Sequence, residues 1–334
     1  MATALTNPAQ FKDIADAIRA KTGETGTIVA NDFAEKIAAI QTGVAKPKWI
    51  KSTAILFRDW QSVCYADGKF VAVSASSSDS IAAYSTDGIS WTQTTMPASV
   101  LWKSVCYGNG KFVAVAYNSD VAAYSTDGIN WTQTTMPGTR KWKSVCYGGG
   151  KFVAICYDSM LPAYSTDGIT WNSGRLPVSK YWTSVCYGNG KFVAVAEYSN
   201  VVAYSTDGIS WTQATLPTVK SWASVCYGNG KFVAVAYNPN FVAYSTDGIN
   251  WTQVTLPISG YFTAVCYGGG KFVSVGSGNT IAAYSTDGIN WNQSVLPTGA
   301  QWLPLCYGDG KFVALTFSSG SIAAYLKDSF DEWE

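Results

Sequence analysis

Residues 102–137 read WKSVCYGNGKFVAVAYNSDVAAYSTDGINWTQTTMP, and this stretch decides the fold because it recurs along almost the whole chain. The copies begin at Trp60, Trp102, Trp142, Trp182, Trp222, Phe262 and Trp302, with one step of 42 residues and then steps of 40. A constant period of this length marks a repeat protein, in which each unit needs its neighbours to bury a core. The sequence therefore predicts seven similar units.

Each unit contains four short segments rich in Val, Tyr, Phe, Trp and Thr, which suit a pleated sheet. In the quoted copy the segments are 102–107, 111–117, 121–126 and 130–134. Gly and Asn at 108–110 and Asp127-Gly128 supply the tight turns between them. The sequence predicts an all-β fold, a seven-bladed β-propeller with four-stranded antiparallel blades.

The two ends of the chain are predicted to meet. A Trp stands eleven residues before each following unit, and Trp49 has this relation to Trp60 although no complete unit precedes it. We expect residues 49–53 to form the fourth strand of the last blade, whose other strands lie within residues 302–326. This pairing would remove exposed strand edges. Trp333 competes for the position but is one residue out of register.

The segment from Ser125 to Trp131, STDGINW, resembles the Asp-box hairpin of sialidase-type propellers, in a form one residue shorter. It recurs at 85–91, 165–171, 205–211, 245–251 and 285–291. In that family the Asp-box is structural. We expect Asp127 and its equivalents to accept backbone N–H groups of their own turns, since turn aspartates do so.

Composition limits the function classes. The net charge of +1 in 334 residues gives no electrostatic reason to expect nucleic acid. No apolar run approaches the ~20 residues of a membrane helix, and no secretory signal is recognisable. The chain has no His, which removes the usual general base. Near-identical repeats also suggest no singular cluster of acid and base, so the sequence predicts no enzyme, no catalytic residues, no cofactor and no metal site.

Residues 1–45 differ from the rest and predict a small α-helical hairpin. Its two apolar faces are formed by Phe11, Ile14, Ile18, Phe33, Ile37 and Ile40. Residues 13–23 and 32–40 resemble a short module in virion proteins of tailed bacteriophages, found in tail fibres and related appendages. The resemblance implies a virion protein whose hairpin attaches to other virion proteins or forms a homo-oligomer. Seven of the eight Cys recur at one repeat position and are expected to be unpaired, which indicates assembly in the reducing bacterial cytoplasm. An incidental hairpin that caps the propeller is the alternative.

The repeats differ from one another mainly in two sets of connections. The turns between the first and second strands and between the third and fourth strands barely change. The loops at 117–120, 157–160, 197–200 and 237–240 vary, and so do the connections between units. In an antiparallel meander both variable sets emerge on one face, and binding usually lies on such loops. The constant turns would then form the opposite face.

The predicted binding residues on the variable face are tyrosines and basic residues: Tyr117, Tyr157, Tyr181, Tyr198, Tyr237, Tyr261, Arg140, Lys141, Lys180 and Lys220. Lys103 and Lys143 are further basic residues of this face. Tyrosine offers a flat apolar surface and a hydroxyl, which suits glycans and proteins. The domains are expected to be the hairpin, 1–45, and the propeller, 46–334.

The function expected from these features is a phage virion structural protein, a tail fibre or similar appendage, whose propeller binds a host cell-surface receptor such as a glycan. The first alternative is a purely structural virion decoration or spacer that binds other virion proteins. A free lectin-like propeller is a weaker alternative.

Overall fold

The computed structural model describes Asp16, Arg19 and residues 48–52, 58–76, 78–237, 240–317 and 322–327. These residues form an all-β propeller of six hydrogen-bonded sheets, five with four strands and one with six. Neighbouring strands in every sheet pair antiparallel, with tight turns between the first two strands of each repeat. The alternation of β-branched and aromatic residues therefore produces the meanders that the sequence predicts.

The first three sheets follow one another in sequence. The first sheet contains β2 (Trp60–Ala66), β3 (Lys69–Ser74), β4 (Ile81–Ser85) and β5 (Thr92–Thr95). The second contains β6 (Leu101–Gly108), β7 (Lys111–Tyr117), β8 (Ser119–Ser125) and β9 (Thr132–Arg140). The third contains β10 (Trp142–Gly148), β11 (Lys151–Cys156), β12 (Ala163–Ser165) and β13 (Asn172–Ser173). Each of these sheets is one sequence repeat.

The remaining sheets include the two chain ends. The fourth sheet contains β14 (Tyr181–Gly188), β15 (Lys191–Glu197), β16 (Ser199–Ser205) and β17 (Thr212–Lys220). The fifth contains β18 (Trp222–Gly228), β19 (Lys231–Ala236), β20 (Phe241–Ser245) and β21 (Thr252–Thr255). The sixth contains β22 (Tyr261–Gly268), β23 (Lys271–Ser285), β24 (Asn292–Gly308), β25 (Lys311–Phe317), β26 (Ala323–Lys327) and β1 (Ile50–Lys51).

The prediction of seven separate four-stranded blades is wrong, because the sixth and seventh repeats share one sheet. Strand β24 runs without a break from the outer strand of the sixth repeat into the first strand of the seventh. At the equivalent point in earlier repeats, Lys141 and Ser221 interrupt the strand and separate the sheets. With a blade counted as one hydrogen-bonded sheet, the propeller has six blades.

The first strands of all the repeats nevertheless form one closed ring around a central channel. Contacts run from β2 through β6, β10, β14, β18 and β22 to β24, and β24 contacts β2. The chain ends close the sixth sheet, where Ile50 pairs with Tyr325 and Lys51 pairs with Ala324. Strand β1 lies within the predicted stretch 49–53 and pairs with β26, the last strand of the seventh repeat.

The core lies between successive sheets. One Trp or Phe at the start of each repeat is fully buried, as is one Phe on each second strand. The cluster around Trp142 joins Phe152 of its own repeat to Val113 and Val115 of the preceding repeat. Each repeat therefore buries its apolar face only against its neighbour, as repeat proteins require.

The predicted helical hairpin is not part of the fold that the described residues form. Its apolar residues Phe11, Ile14, Ile18, Phe33, Ile37 and Ile40 lie outside the described residues. Asp16 and Arg19 are described; both have helical backbone and form an ion pair of 2.7 Å. No helix among the described residues is long and apolar enough to cross a membrane.

Candidate binding face and central channel

The two faces of the propeller are built from different turns. On the variable face, the connections between repeats pair with the loops between second and third strands, as in Leu101 with Tyr117 and Ser199 with Lys220. On the opposite, constant face, hairpin side chains bond the turns of the next repeat: the Asn109 amide donates to the Thr166 carbonyl at 3.1 Å. The sequence variation therefore maps to one face.

The predicted tyrosines form two exposed groups on the variable face. The Tyr157 and Tyr181 rings stack with centroids 5.0 Å apart, and Tyr198 meets Tyr181 edge-on at 6.5 Å. Tyr237 and Tyr261 form a second pair at 5.2 Å. Tyr198 is 71% exposed and Tyr181 is 49% exposed. Exposed large aromatic rings such as Tyr181 and Tyr198 offer a ready surface for a flat ligand.

Tyr117 and most of the predicted basic residues already contact other side chains of the protein. The Lys103 ammonium lies 5.7 Å from the Tyr117 ring centre. Arg140 lies over the Trp142 ring and Lys220 over the Phe241 ring, at 5.4 and 3.6 Å. Lys141 forms an ion pair of 2.7 Å with Asp158, and that hydrogen bond raises the pKa of Lys141. Lys180 is half-buried beside Tyr181 in the chain. The structure does not gather these cations into one exposed patch.

A β-bulge at the start of every repeat turns one side chain into the channel. Lys103 is the extra residue between Trp102 and Ser104, which oppose consecutive residues of β7. Bulges redirect side chains in this way. The equivalent residues all line a cavity of about 350 Å³: Gln61, Lys103, Lys143, Thr183, Ala223, Thr263 and Leu303. Glu197 and Tyr237 also line it, which places its mouth on the variable face.

The cavity is charged on one side. The Lys103 ammonium donates to the Gln61 side-chain oxygen at 2.9 Å. Desolvation, followed by the positive charge of Lys143, lowers the pKa of Lys103 to about 8. Desolvation also lowers the pKa of Lys143, against the opposing charge of Glu197. The Tyr157 hydroxyl donates to Glu197 at 2.9 Å; burial and this hydrogen bond raise the Tyr157 pKa.

The channel was not identified as a site from the sequence. The polar residues that line it together are Gln61, Lys103, Lys143 and Glu197. Lys103 and Lys143 were expected on the exposed face, whereas the structure places them in the channel. The position after each repeat's first aromatic residue changes from Gln to Lys, Thr, Ala or Leu, while its neighbours barely change. That variation is the signal in the sequence that could have revealed the channel site.

The recurring Asp turns are structural in their geometry. The Asp127 carboxylate accepts from the backbone N–H groups of Ile129 and Asn130, both at 2.8 Å, and from the Ser125 hydroxyl at 2.9 Å. In the part of the chain that the structure describes, no group of three or more His, Cys, Asp or Glu side chains could hold a metal ion.

Comparisons with known proteins identify similar folds but no family. No protein-family model matches the chain, and no curated protein matches it significantly. A catalytically inactive histidine-to-alanine variant of virginiamycin B lyase from Staphylococcus aureus, solved with quinupristin, has a TM-score of 0.75 at 12% identity, covering 84% of this chain and 99% of its own. YCF48 bound to D1 peptide has a TM-score of 0.67 at 15% identity, covering 85% and 95%. A computationally designed protein, Ika8, reaches 0.60 at 10% identity, covering 84% and 100%. At these identities the likeness shows the fold alone.

Two sequence predictions need correction. The resemblance to phage appendages is wrong as a recognition, because the chain is similar in structure to virginiamycin B lyase and YCF48 rather than to tail proteins. Short amphipathic helical patterns are common, so forty such residues were weak grounds. The prediction that the chain is not an enzyme is also wrong. This fold carries a lyase, and in this chain the bulges bring Lys103 and Lys143 into the cavity that Glu197, at the end of β15, also lines.

Proposed function

We propose that the chain is a receptor-binding protein whose variable face binds a cell-surface glycan. The observation that carries the proposal is the tyrosine surface formed by Tyr157, Tyr181 and Tyr198. A second tyrosine pair, Tyr237 and Tyr261, belongs to the fifth and sixth sheets. Sugar rings present apolar C–H faces that pack on aromatic rings, and the tyrosine hydroxyls add hydrogen bonds at low entropy cost. Localisation in a virion, attachment through residues 1–45 and the alternative of a purely structural spacer remain predictions.

The test is binding of the full chain to a glycan array and to intact bacterial cells. We expect Tyr181→Ala and Tyr198→Ala to weaken binding by about three- to tenfold each, as the loss of one aromatic contact implies. Thr126→Ala, at an exposed turn residue of the constant face, is the matched control and should bind normally. If the wild-type chain binds neither glycans nor cells, the proposal is wrong and the spacer alternative gains.

Catalysis in the channel is a second candidate, favoured by the Lys103 pKa of about 8. Near that pH the neutral amine is well populated and can act as a general base beside Lys143 and Glu197. The chain has no His, so the histidine replaced in the inactive lyase has no counterpart of its type here. Incubation with quinupristin, followed by mass spectrometry, tests this candidate: an unchanged substrate would exclude lyase activity on that compound, whereas a product that Lys103→Met abolishes would support it.

A further inference from the structure

The bulged residues around the channel are polar or charged on one side and apolar on the other. Gln61, Lys103 and Lys143 supply polar and cationic groups from the first three repeats, whereas Ala223 and Leu303 line the cavity from later repeats. A ring built only for stability would favour apolar residues throughout, because the burial of two ammonium groups carries a desolvation cost. The retained lysines therefore indicate a ligand that interacts with one side of the channel.

The charges of the described cavity lining suit one negative charge. Two lysines and one carboxylate, Glu197, give the lining a formal charge of +1 when both amines are protonated, and the Asp59 carboxylate, outside the lining, opposes it by raising the pKa of Lys103. Tyr157 donates to Glu197, and Gln61 accepts from Lys103, so Glu197 and Lys103 are held in position, while the Lys143 ammonium lies 5.9 Å from the Tyr157 ring centre. The positive charge of Lys143 lowers the pKa of Lys103 by more than the negative charge of Asp59 raises it, so repulsion between the two ammonium groups remains. An anion near both ammonium groups would relieve this repulsion.

The position of the cavity links it to the tyrosine surface. Its lining includes Tyr237, which packs against Tyr261 in a tilted pair, and Glu197, which accepts a hydrogen bond from Tyr157 of the other tyrosine group. A ligand that inserts one group into the mouth can therefore place its neighbouring groups on the rings. The volume of about 350 Å³ lies at the lower end of small-molecule sites, which suits one monosaccharide-sized group rather than a folded segment.

We propose that the channel mouth binds the carboxylate of an acidic sugar, held by Lys103 and Lys143, while adjoining sugars lie on the tyrosines. This inference rests on the proposed glycan-binding function and adds the ligand class. The carboxylate accepts hydrogen bonds from the two ammonium groups, and charge-assisted bonds of this kind are about twice as strong as neutral ones. No bond is made or broken in the ligand.

The test compares acidic oligosaccharides with their methyl esters, which keep the size but remove the charge. Calorimetry with oligogalacturonate and sialyllactose should show that at least one acid binds the full chain about tenfold or more tighter than its ester. Lys103→Met with Lys143→Met should abolish this preference, so that the acid and its ester bind the variant equally. Ala223 and Leu303 already occupy equivalent positions, so apolar residues are tolerated there. Lys191→Met is the control and should keep the preference, because Lys191 lies at the end of β15 away from Glu197 and does not line the cavity.

The pH gives an independent readout. The affinity for the acid should be constant below about pH 7 and fall as the pH rises through about 8, because Lys103 then loses its proton. The affinity for the ester should not change over the same range. Lys103→Met should make this dependence weaker, with the remainder set by Lys143, whose pKa is also lowered, whereas Lys191→Met should retain it in full.

The outcomes separate this inference from the proposed function. Equal binding of acid and ester, with no effect of the lysine variants, overturns the channel site but leaves glycan binding intact. Absence of binding to any oligosaccharide overturns both. Tighter binding of a short polyglutamate peptide than of either acidic sugar, lost in the double lysine variant, would show a carboxylate site for polypeptides and contradict the sugar assignment.

Discussion

Asp127 closes its turn with both carboxylate oxygens: Oδ1 accepts two backbone N–H groups and one hydroxyl, and Oδ2 accepts the Asn130 side-chain amide at 2.8 Å. Replacement of Asp127 by Ala leaves those donors without their partner in a half-buried turn. We expect a loss of about 1–2 kcal/mol in the free energy of unfolding, similar to the loss of a helix-capping side chain. Urea denaturation measures it. Gln133→Ala, at an exposed residue of β9, should change stability by less than about 0.5 kcal/mol.

Gly128 and Gly110 separate backbone strain from packing. Both have a positive φ, 74° and 72°. A Cβ at Gly128 would lie 2.7 Å from a methyl carbon of Val71 in the preceding repeat, whereas a Cβ at Gly110 meets nothing within 4 Å. Gly110→Ala should therefore cost only the left-handed strain of about 1–2 kcal/mol. Gly128→Ala should cost at least about 1 kcal/mol more through overpacking. Equal midpoints in urea for the two variants would contradict the role assigned to the Val71 contact.

The location of the candidate site was only partly predictable from single residues. The tyrosines Tyr157, Tyr181 and Tyr198 were assigned to one face because loop variation follows the meander, and the structure brings them together. The destination of Lys103 was not predictable in the same way. Regular alternation along a strand assigns residues to faces, but an inserted bulge residue breaks that alternation, and register shifts leave no clear signature in one sequence.

The closing strand tests how the ring is held shut. Trp49 is 3% exposed and packs in the last core cluster beside Trp302 and Leu326. Trp49→Ala should lower the free energy of unfolding by about 3–5 kcal/mol, the usual cost for removing a buried Trp. The neighbouring Ile50 is 38% exposed, so Ile50→Ala is the matched control with a much smaller expected loss. Chemical denaturation followed by tryptophan fluorescence and circular dichroism measures both.

A loss in Trp49→Ala no greater than in Ile50→Ala would mean that the strand at the chain start adds little to closure.

The pairing of that strand with the last repeat was predictable because Trp49 keeps the spacing of the repeat. The number of separate sheets was not. Breaks at Lys141 and Ser221 divide sheets, whereas the chain continues as strand through Gln301. Such a break is a difference at one residue of the connection between repeats, which a repeat pattern does not encode.

At the scale of the whole molecule, the sequence was most informative where it repeats. The ring of first strands, the buried aromatic layers and the two unlike faces all follow from a pattern copied along the chain. The function was least predictable because it depends on the positions where copies differ. Residues 1–45 carried the most specific biological prediction, and their described part is limited to Asp16 and Arg19.

The repeated Asp turns also give the molecule a shared response to acid. Burial by itself would raise the pKa of these carboxyls, but the hydrogen bonds that each accepts outweigh it and lower the pKa. The pKa falls to about 2 for Asp167 and Asp287. It falls as well for Asp87, Asp127, Asp207 and Asp247.

Each lowered pKa means that the unfolded chain binds protons more readily than the folded protein. The contribution of the six turns is therefore fully present above about pH 4 and is lost as the pH falls through about 2. We expect the urea midpoint to be flat near neutrality and to drop steeply between pH 4 and pH 2. Asp127→Asn with Asp247→Asn removes two titrating groups and should make the drop shallower. A double variant with the wild-type slope would show that other carboxyls, and not the repeated turns, set the acid limit.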